Sequence, residues 1–140
     1  MQFHDQGDSL AAVACGLGGG SLVNAGVIVP TPARVKRDPR WPKEWSKDWE
    51  LYEQFASSML GAQSLPVDFP SARVMRRIVE EEIEECRPDP IKLSINFGQG
   101  SQQTGSCLAC GNCLSGCPYN AKNSTDKNYL ASAIQVCGSS

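Results

Sequence analysis

Positive charge is not in excess in this sequence: 13 Lys and Arg stand against 15 Asp and Glu, for a net charge of −2. No basic patch stands out to neutralise phosphates, which argues against a nucleic-acid partner. No apolar run approaches the length needed to span a bilayer. The first residues, MQFHDQGDSLAA, have neither a basic start nor an apolar centre, so they do not read as a secretory signal. Histidine occurs once, as His4, and reads as a surface residue. No internal repeat is present. What remains is a chain of 140 residues, 41% apolar and 20% charged. That is one ordinary domain or a piece of a larger one, long enough to bury a core.

Cysteine, by contrast, is plentiful. Seven are present: Cys15, Cys86, Cys107, Cys110, Cys113, Cys117 and Cys137. Without an export signal the expected compartment is the reducing cytosol, where clustered thiols point to metal or redox work rather than disulfides. CLACGNCLSGCP places Cys107, Cys110, Cys113 and Cys117 at the spacing C-x2-C-x2-C-x3-C, with Pro118 following. Bacterial ferredoxins hold iron–sulfur clusters with such a run. One alternative is therefore a small 4Fe-4S electron-transfer protein, although the second run of a two-cluster ferredoxin is missing. Zinc on the same thiolates is another, although zinc sites usually pair two separated knuckles. The third is a structural loop whose small polarisable side chains pack, or undergo thiol redox chemistry.

The chain between these features alternates helix and strand signals. LAAVAC, Leu10 to Cys15, reads as a short buried strand. SLVNAGVIV reads as a helical turn or loop and then a second apolar run, stopped by Pro30 and Pro32. Residues 33–42, basic and proline-bearing, read as a surface connection. Trp45, Trp49, Tyr52, Ala56 and Met59 recur at helical steps, with Gly61 and Pro66 ending the helix. A second helix is expected from an N-cap at Ser71, with Met75, Val79, Ile83 and Cys86 on one face and Pro88 and Pro90 stopping it. Its acidic later half reads as a solvated face. KLSINF, Lys92 to Phe97, alternates as a half-buried strand with Leu93, Ile95 and Phe97 inward. Residues 98–106 read as a loop. A last short helix is expected through Ile134, capped by Ser124, Thr125 or Asp126.

GLGGGS, Gly16 to Ser21, invites a nucleotide reading, because glycine lets a backbone approach a phosphate or a flat ring closely. A P-loop is excluded, since no lysine ends the run. A dinucleotide fingerprint fails as well: Ser21 stands where the third glycine belongs, and VIVPTP breaks the helix that should follow. A second backbone wall against a flat cofactor remains open, beside the plainer reading of a glycine-rich turn.

Two segments taken together decide between these. GLGGGSLVNAGVIV, Gly16 to Val29, resembles the second flavin-contacting segment of the glucose–methanol–choline (GMC) oxidoreductases, nearest their cholesterol oxidase-like and long-chain alcohol oxidase branch. CGNCLSGCPYNAKNSTDKNYLASA, Cys110 to Ala133, resembles a later Cys-rich segment of the same family, in matching order and separation. The resemblance implies FAD as cofactor, an alcohol or sterol substrate oxidised by hydride transfer to flavin N5, and oxygen or another electron acceptor. It implies that Gly19, Gly20, Ser21, Asn24, Ala25, Gly26 and Val27 line the isoalloxazine and pyrophosphate side of the site. It also implies that Lys122, Ser124 and Thr125 return toward that site, to reach the cofactor or neighbouring backbone. The structural-loop reading of the cysteines is favoured, since hydride transfer to FAD needs no second metal centre.

The fold class implied is α/β to α+β, part of a two-domain FAD/NAD(P)-binding, Rossmann-like flavoprotein. Residues 1–32 are expected in the FAD-binding domain, 33–100 in a substrate-side or covering segment, and 101–140 in a Cys-rich return toward the flavin. The ADP-binding unit that should precede Gly16 and the catalytic histidine that should lie near a C-terminus are absent. The expectation is an incomplete chain, inactive by itself, with no catalytic residue of its own.

Overall fold

The computed structural model describes residues 1–83, 90–98 and 105–138. It opens with an antiparallel hairpin of β1 (Gln2–Asp5) and β2 (Leu10–Val13), with Gln2 opposite Val13 and Asp5 opposite Leu10. Gly7 turns the hairpin at a φ of 83°, and its N–H donates to Asp5 Oδ1 at 2.9 Å. The expected strand is therefore present, but it is not buried. Leu10 is 67% exposed, because β1 supplies an edge partner and covers neither face. His4 lies in β1, opposite Ala11, and is exposed.

The glycine run forms a 3-10 turn over Gly19–Leu22, and β3 (Val27–Ile28) follows. β3 pairs antiparallel with β4 (Lys92–Leu93), Val27 opposite Leu93. Residues 33–42 are more ordered than a plain connection. Pro32 precedes a helical turn, α1 (Ala33–Lys36), since its fixed φ suits a helix entry.

Helix α2 (Trp45–Met59) has the predicted extent, and Gly61 leaves it at a φ of 60°. Its inward line is rotated from the predicted one. Trp49, Glu53, Ala56, Ser57 and Leu60 are the half-buried positions, while Tyr52 is exposed. Two local facts cause this. Trp41 stacks on Trp45 with centroids 5.5 Å apart and meets Trp49 edge-on at 6.0 Å, so the tryptophans cover one another. Glu53 is drawn inward by the backbone N–H of Thr31 at 2.9 Å and the Lys36 ammonium at 2.6 Å.

Helix α3 (Pro70–Glu82) begins one residue before the predicted cap, with Pro70 in its first turn and Phe69 before it. Proline at the first helical position loses no hydrogen bond. Of its predicted face, among the described residues, only Val79 is half-buried, and Met75 is 61% exposed. Cys86, Pro88 and most of the predicted loop after Phe97 lie outside the described residues. Helix α4 (Tyr129–Cys137) is capped by Asn128, whose Oδ1 accepts the Tyr129 N–H at 2.7 Å. Ser124, Thr125 and Asp126 serve the chain elsewhere.

Residues 92–97 form the spine. After the short β4, the chain continues as single bridges from Leu93 to Gln63 and from Ile95 to Lys122. Both Ser94 and Ile95 are buried, so this segment is covered on both faces rather than one. Together with Gly26, Ala121, Lys122 and Ser124 they make up the buried centre among the described residues. Helices and small antiparallel sheets thus mix around a small, largely polar middle.

Candidate functional site

The centre is built where the glycine segment meets the return after the cysteines. The Ser94 N–H donates to the Gly26 carbonyl at 2.7 Å, and the Asn123 N–H donates to the Ser94 carbonyl at 2.8 Å. The Asn96 N–H donates to the Ala121 carbonyl at 2.8 Å. The spine therefore lies between the two segments and fixes each by main-chain hydrogen bonds. Gly26 sits at a φ of 75°, and a Cβ there would stand 3.2 Å from Ile95 Cγ1. Glycine satisfies both the left-handed backbone and the close approach.

Three side chains complete the junction. The Ser21 hydroxyl donates to the Gly18 carbonyl at 2.7 Å, accepts the Thr125 N–H at 3.0 Å and lies 3.0 Å from the Thr125 hydroxyl. Thr125 Oγ1 also donates to the Gly18 carbonyl at 3.1 Å. Lys122 is only 3% exposed. Its ammonium donates to the carbonyls of Leu22 and Asn24, both at 2.8 Å, and of Cys113 at 2.9 Å. Burial pushes its pKa down, against the opposing influence of the Cys113 and Cys117 thiols. Among the described residues no carboxylate lies within ion-pairing distance of it. Ser124 donates to Asp126, and the Lys127 ammonium donates to the Lys122 carbonyl at 2.8 Å. Lys122, Ser124 and Thr125 are thus engaged with neighbouring groups of the chain.

The thiol run is a tight loop with left-handed residues at Ala109, Gly111, Gly116 and Asn120. Cys107 Sγ accepts the Ala109 N–H at 3.4 Å, and Cys117 Sγ accepts the Ala121 N–H at 3.3 Å. Burial raises the Cys113 pKa, and the Cys107 and Cys117 thiols add to the effect. Burial opposes ionisation of Cys117 too, but the N–H groups of Ala121, Lys122 and Tyr119 outweigh it, and its pKa is lowered. The cluster and zinc alternatives find no ligand set here. Among the described residues no three His, Cys, Asp or Glu side chains are grouped so as to hold a metal ion.

Of the residues expected to face the flavin, Gly19, Gly20 and Ser21 lie in the 3-10 turn, Asn24 and Ala25 follow it, Gly26 is buried against Ile95, and Val27 opens β3; residues 19–27 are called the wall below. Gly19 and Gly20 have open space where a Cβ would stand, so the main chain of this turn is accessible to a flat group. Asn24 is exposed, and its Oδ1 accepts the Gly26 N–H at 3.0 Å, which rounds the turn. Val27 is 44% exposed. The Ala25 N–H finds no acceptor among the described residues. An open glycine turn with a free N–H is the kind of surface that fits a planar, acceptor-rich ring system. Ser21, by contrast, spends its hydroxyl on Gly18 and Thr125. A small cavity of about 190 Å³ is lined by Cys15, Leu22, Cys117, Lys122 and Asp126 and by none of the residues expected to face the flavin. A larger cleft of about 1010 Å³ lies apart, between α2 and residues 28–31 and 90–92.

The sequence did not point to Ser94 or Asn123. The alternation of KLSINF sets Ser94 on the outer face, yet it seats Gly26. Asn123 Nδ2 donates to the Leu60 carbonyl at 3.1 Å and so ties the end of α2 to the junction. No sequence pattern marks either residue for this role.

Among known families, the one described as GMC oxidoreductase matches residues 3–140. Cholesterol oxidase of Acinetobacter baumannii is 27% identical over 143 residues, 84% of this chain and 25% of that protein. Cholesterol oxidase of Mycobacterium tuberculosis (strain CDC 1551 / Oshkosh) is 27% identical over 153 residues, 95% of this chain and 26% of that protein. The chain spans about a quarter of the length of these relatives. No solved structure matches it significantly. Among the described residues no helix is long and apolar enough to cross a membrane.

Proposed function

The chain belongs to the GMC oxidoreductase family, a family of FAD-binding oxidoreductases, and from that premise we propose that it forms part of an enzyme oxidising the CH–OH group of an alcohol or sterol. The observation that carries this is the junction itself. The two segments that resemble the family are far apart in sequence and pack on each other through Lys122, Ser21 and Thr125.

FAD, when bound, supplies the hydride acceptor at N5. The chain's part is to bind and orient it. Gly19 and Gly20 let the main chain come close, Val27 offers an apolar contact, and Asn24, Ala25 and Gly26 shape the donor edge of the turn. Ser21 acts from behind, through Gly18 and Thr125. Residues 1–32 and 101–140 belong to the flavin side in this proposal, and residues 33–100 cover it or face substrate. The substrate class rests on the cholesterol oxidases above, the acceptor is oxygen or another oxidant, and the location is cytosolic.

The test is an anaerobic purification with flavin and iron analysis, followed by addition of sterols and of long-chain alcohols. No iron, and bound FAD that one substrate class bleaches once the chain is supplied as part of the whole enzyme but not by the chain alone, are the expected results. Stoichiometric iron with a broad brown absorption would overturn the proposal in favour of an electron carrier. Bound FAD that no alcohol or sterol reduces would overturn the substrate class alone.

A further inference from the structure

Lys122 holds more than shape. Its ammonium has three N–H donors and meets three carbonyls, those of Leu22, Asn24 and Cys113. A neutral amine has two N–H donors and a lone pair, and that lone pair would face one of the carbonyl oxygens. The three carbonyls favour the charged form, working against the burial that lowers the Lys122 pKa. No carboxylate among the described residues comes within ion-pairing distance of it, and the side chain is almost wholly buried. The positive charge is solvated by peptide dipoles, with Asp126 acting on it only from beyond ion-pairing distance.

Two of those dipoles belong to the wall. In a trans peptide the C=O and the following N–H point in opposite directions, and the described chain has no cis peptide. Lys122 takes the Asn24 carbonyl on one side of the turn, so the Ala25 N–H, the other end of that peptide group, is directed to the opposite side. That N–H has no acceptor among the described residues. A cation on the carbonyl polarises the peptide and makes its N–H a stronger donor.

We propose that Lys122 is a positioning residue with an electrostatic role: its caged cation biases the Gly19–Val27 wall toward negative charge on the group lying against it, which favours reduced, anionic FAD over oxidised FAD. This rests on the wall being the flavin surface, as proposed above. Preorganised charge in a site shielded from water is strong because it needs no reorganisation when charge develops, and charge near the flavin ring is one of the means by which a protein tunes it.

The experiment uses the FAD-loaded protein and its Lys122→Met, Lys122→Gln and Lys122→Arg variants. Inorganic sulfite is the probe, since it adds to flavin N5 and leaves a negative charge on the ring. Sulfite affinity and flavin midpoint potential are measured together. The native protein is expected to form the adduct. Met and Gln should weaken sulfite binding at least tenfold, and a tenfold change in the two-electron equilibrium corresponds to a fall of about 30 mV in potential. Arg should retain most of both. Gln keeps hydrogen bonds without charge, so a purely architectural lysine would leave Gln near native. Sulfite affinity and potential unchanged in Met and Gln would overturn the proposal. Should those variants fail to fold, the native protein still decides: a bound flavin that takes up no sulfite overturns it. Native protein that binds no FAD would instead bring down the functional proposal beneath it.

Discussion

At the scale of single residues, the glycines of the wall are not equivalent. Gly26→Ala forces a left-handed φ of 75° on a side chain and sets its Cβ 3.2 Å from Ile95. A loss of about 1–3 kcal/mol is expected. Gly20→Ala projects into open space and is expected to change stability by less than about 1 kcal/mol, since its cost is confined to local backbone preference. Urea unfolding of both variants checks the contrast, and equal losses would contradict it. The thiols differ in the same local way. Cys117, whose pKa is lowered by backbone N–H groups, should react with iodoacetamide at neutral pH before Cys113, whose pKa is raised by burial and its thiol neighbours. Peptide mass mapping over a time course would show the order, and Cys113 reacting first would refute it. That the glycine run makes a turn was legible because glycine spacing is a backbone property. The Lys122 cage was only half legible. The sequence marked the lysine as returning to the site, but main-chain carbonyls carry no residue signature that would name its acceptors.

At the scale of elements, α2 shows why periodicity alone misplaces a face. A Trp-rich stripe is the strongest apolar signal in the chain, yet Trp41, Trp45 and Trp49 satisfy one another. The side turned inward carries Glu53 instead. Its pairing with Lys36, its bond to the Thr31 N–H and the Lys36 charge hold the Glu53 pKa at about 2, below the ordinary 4.5, against a small desolvation. A depressed folded-state pKa gives stability that is fully present above the ordinary value and lost as pH falls through the folded one. The link between α1, residue 31 and α2 should therefore weaken from about pH 5 down to about pH 2. Melting curves across that range, compared with Glu53→Gln, test the point. The variant should lose that pair's contribution to the acid sensitivity, and an unchanged acid limb would refute the assignment. Helix existence was legible for α2, α3 and α4 because each has enough length to express its period. Starts were misplaced where a proline or an asparagine supplied the entry in place of the expected hydroxyl or aspartate.

For the whole molecule, the described residues bury little apolar surface. Ile95 and Ala121 are the buried hydrophobic residues, while Leu51, Phe55, Val74, Met75 and Ile78 are all exposed to 46% or more. Packing of this kind gives weak cooperativity, because few contacts are shared between elements. The 140-residue chain expressed alone should unfold over a broad temperature range and bind a hydrophobic dye. A sharp two-state transition with no dye binding would show that these faces are not left open in solution. Fold class was legible from the paired segments. The absence of a one-face core was not, because apolar periodicity reports which side could be covered and says nothing of what covers it.

The Lys122 cage also fixes an order of assembly. The lysine and the Leu22 carbonyl are 100 residues apart in the chain, and closing so long a loop is an entropic step that precedes its reward. Until residue 122 has been made and docked, the carbonyls of Leu22 and Asn24 have only water to bind. During synthesis from the N-terminus, the glycine turn thus waits for the stretch after the cysteines. The junction between residues 22–24 and residue 122 is therefore closed only after about 100 further residues have left the ribosome.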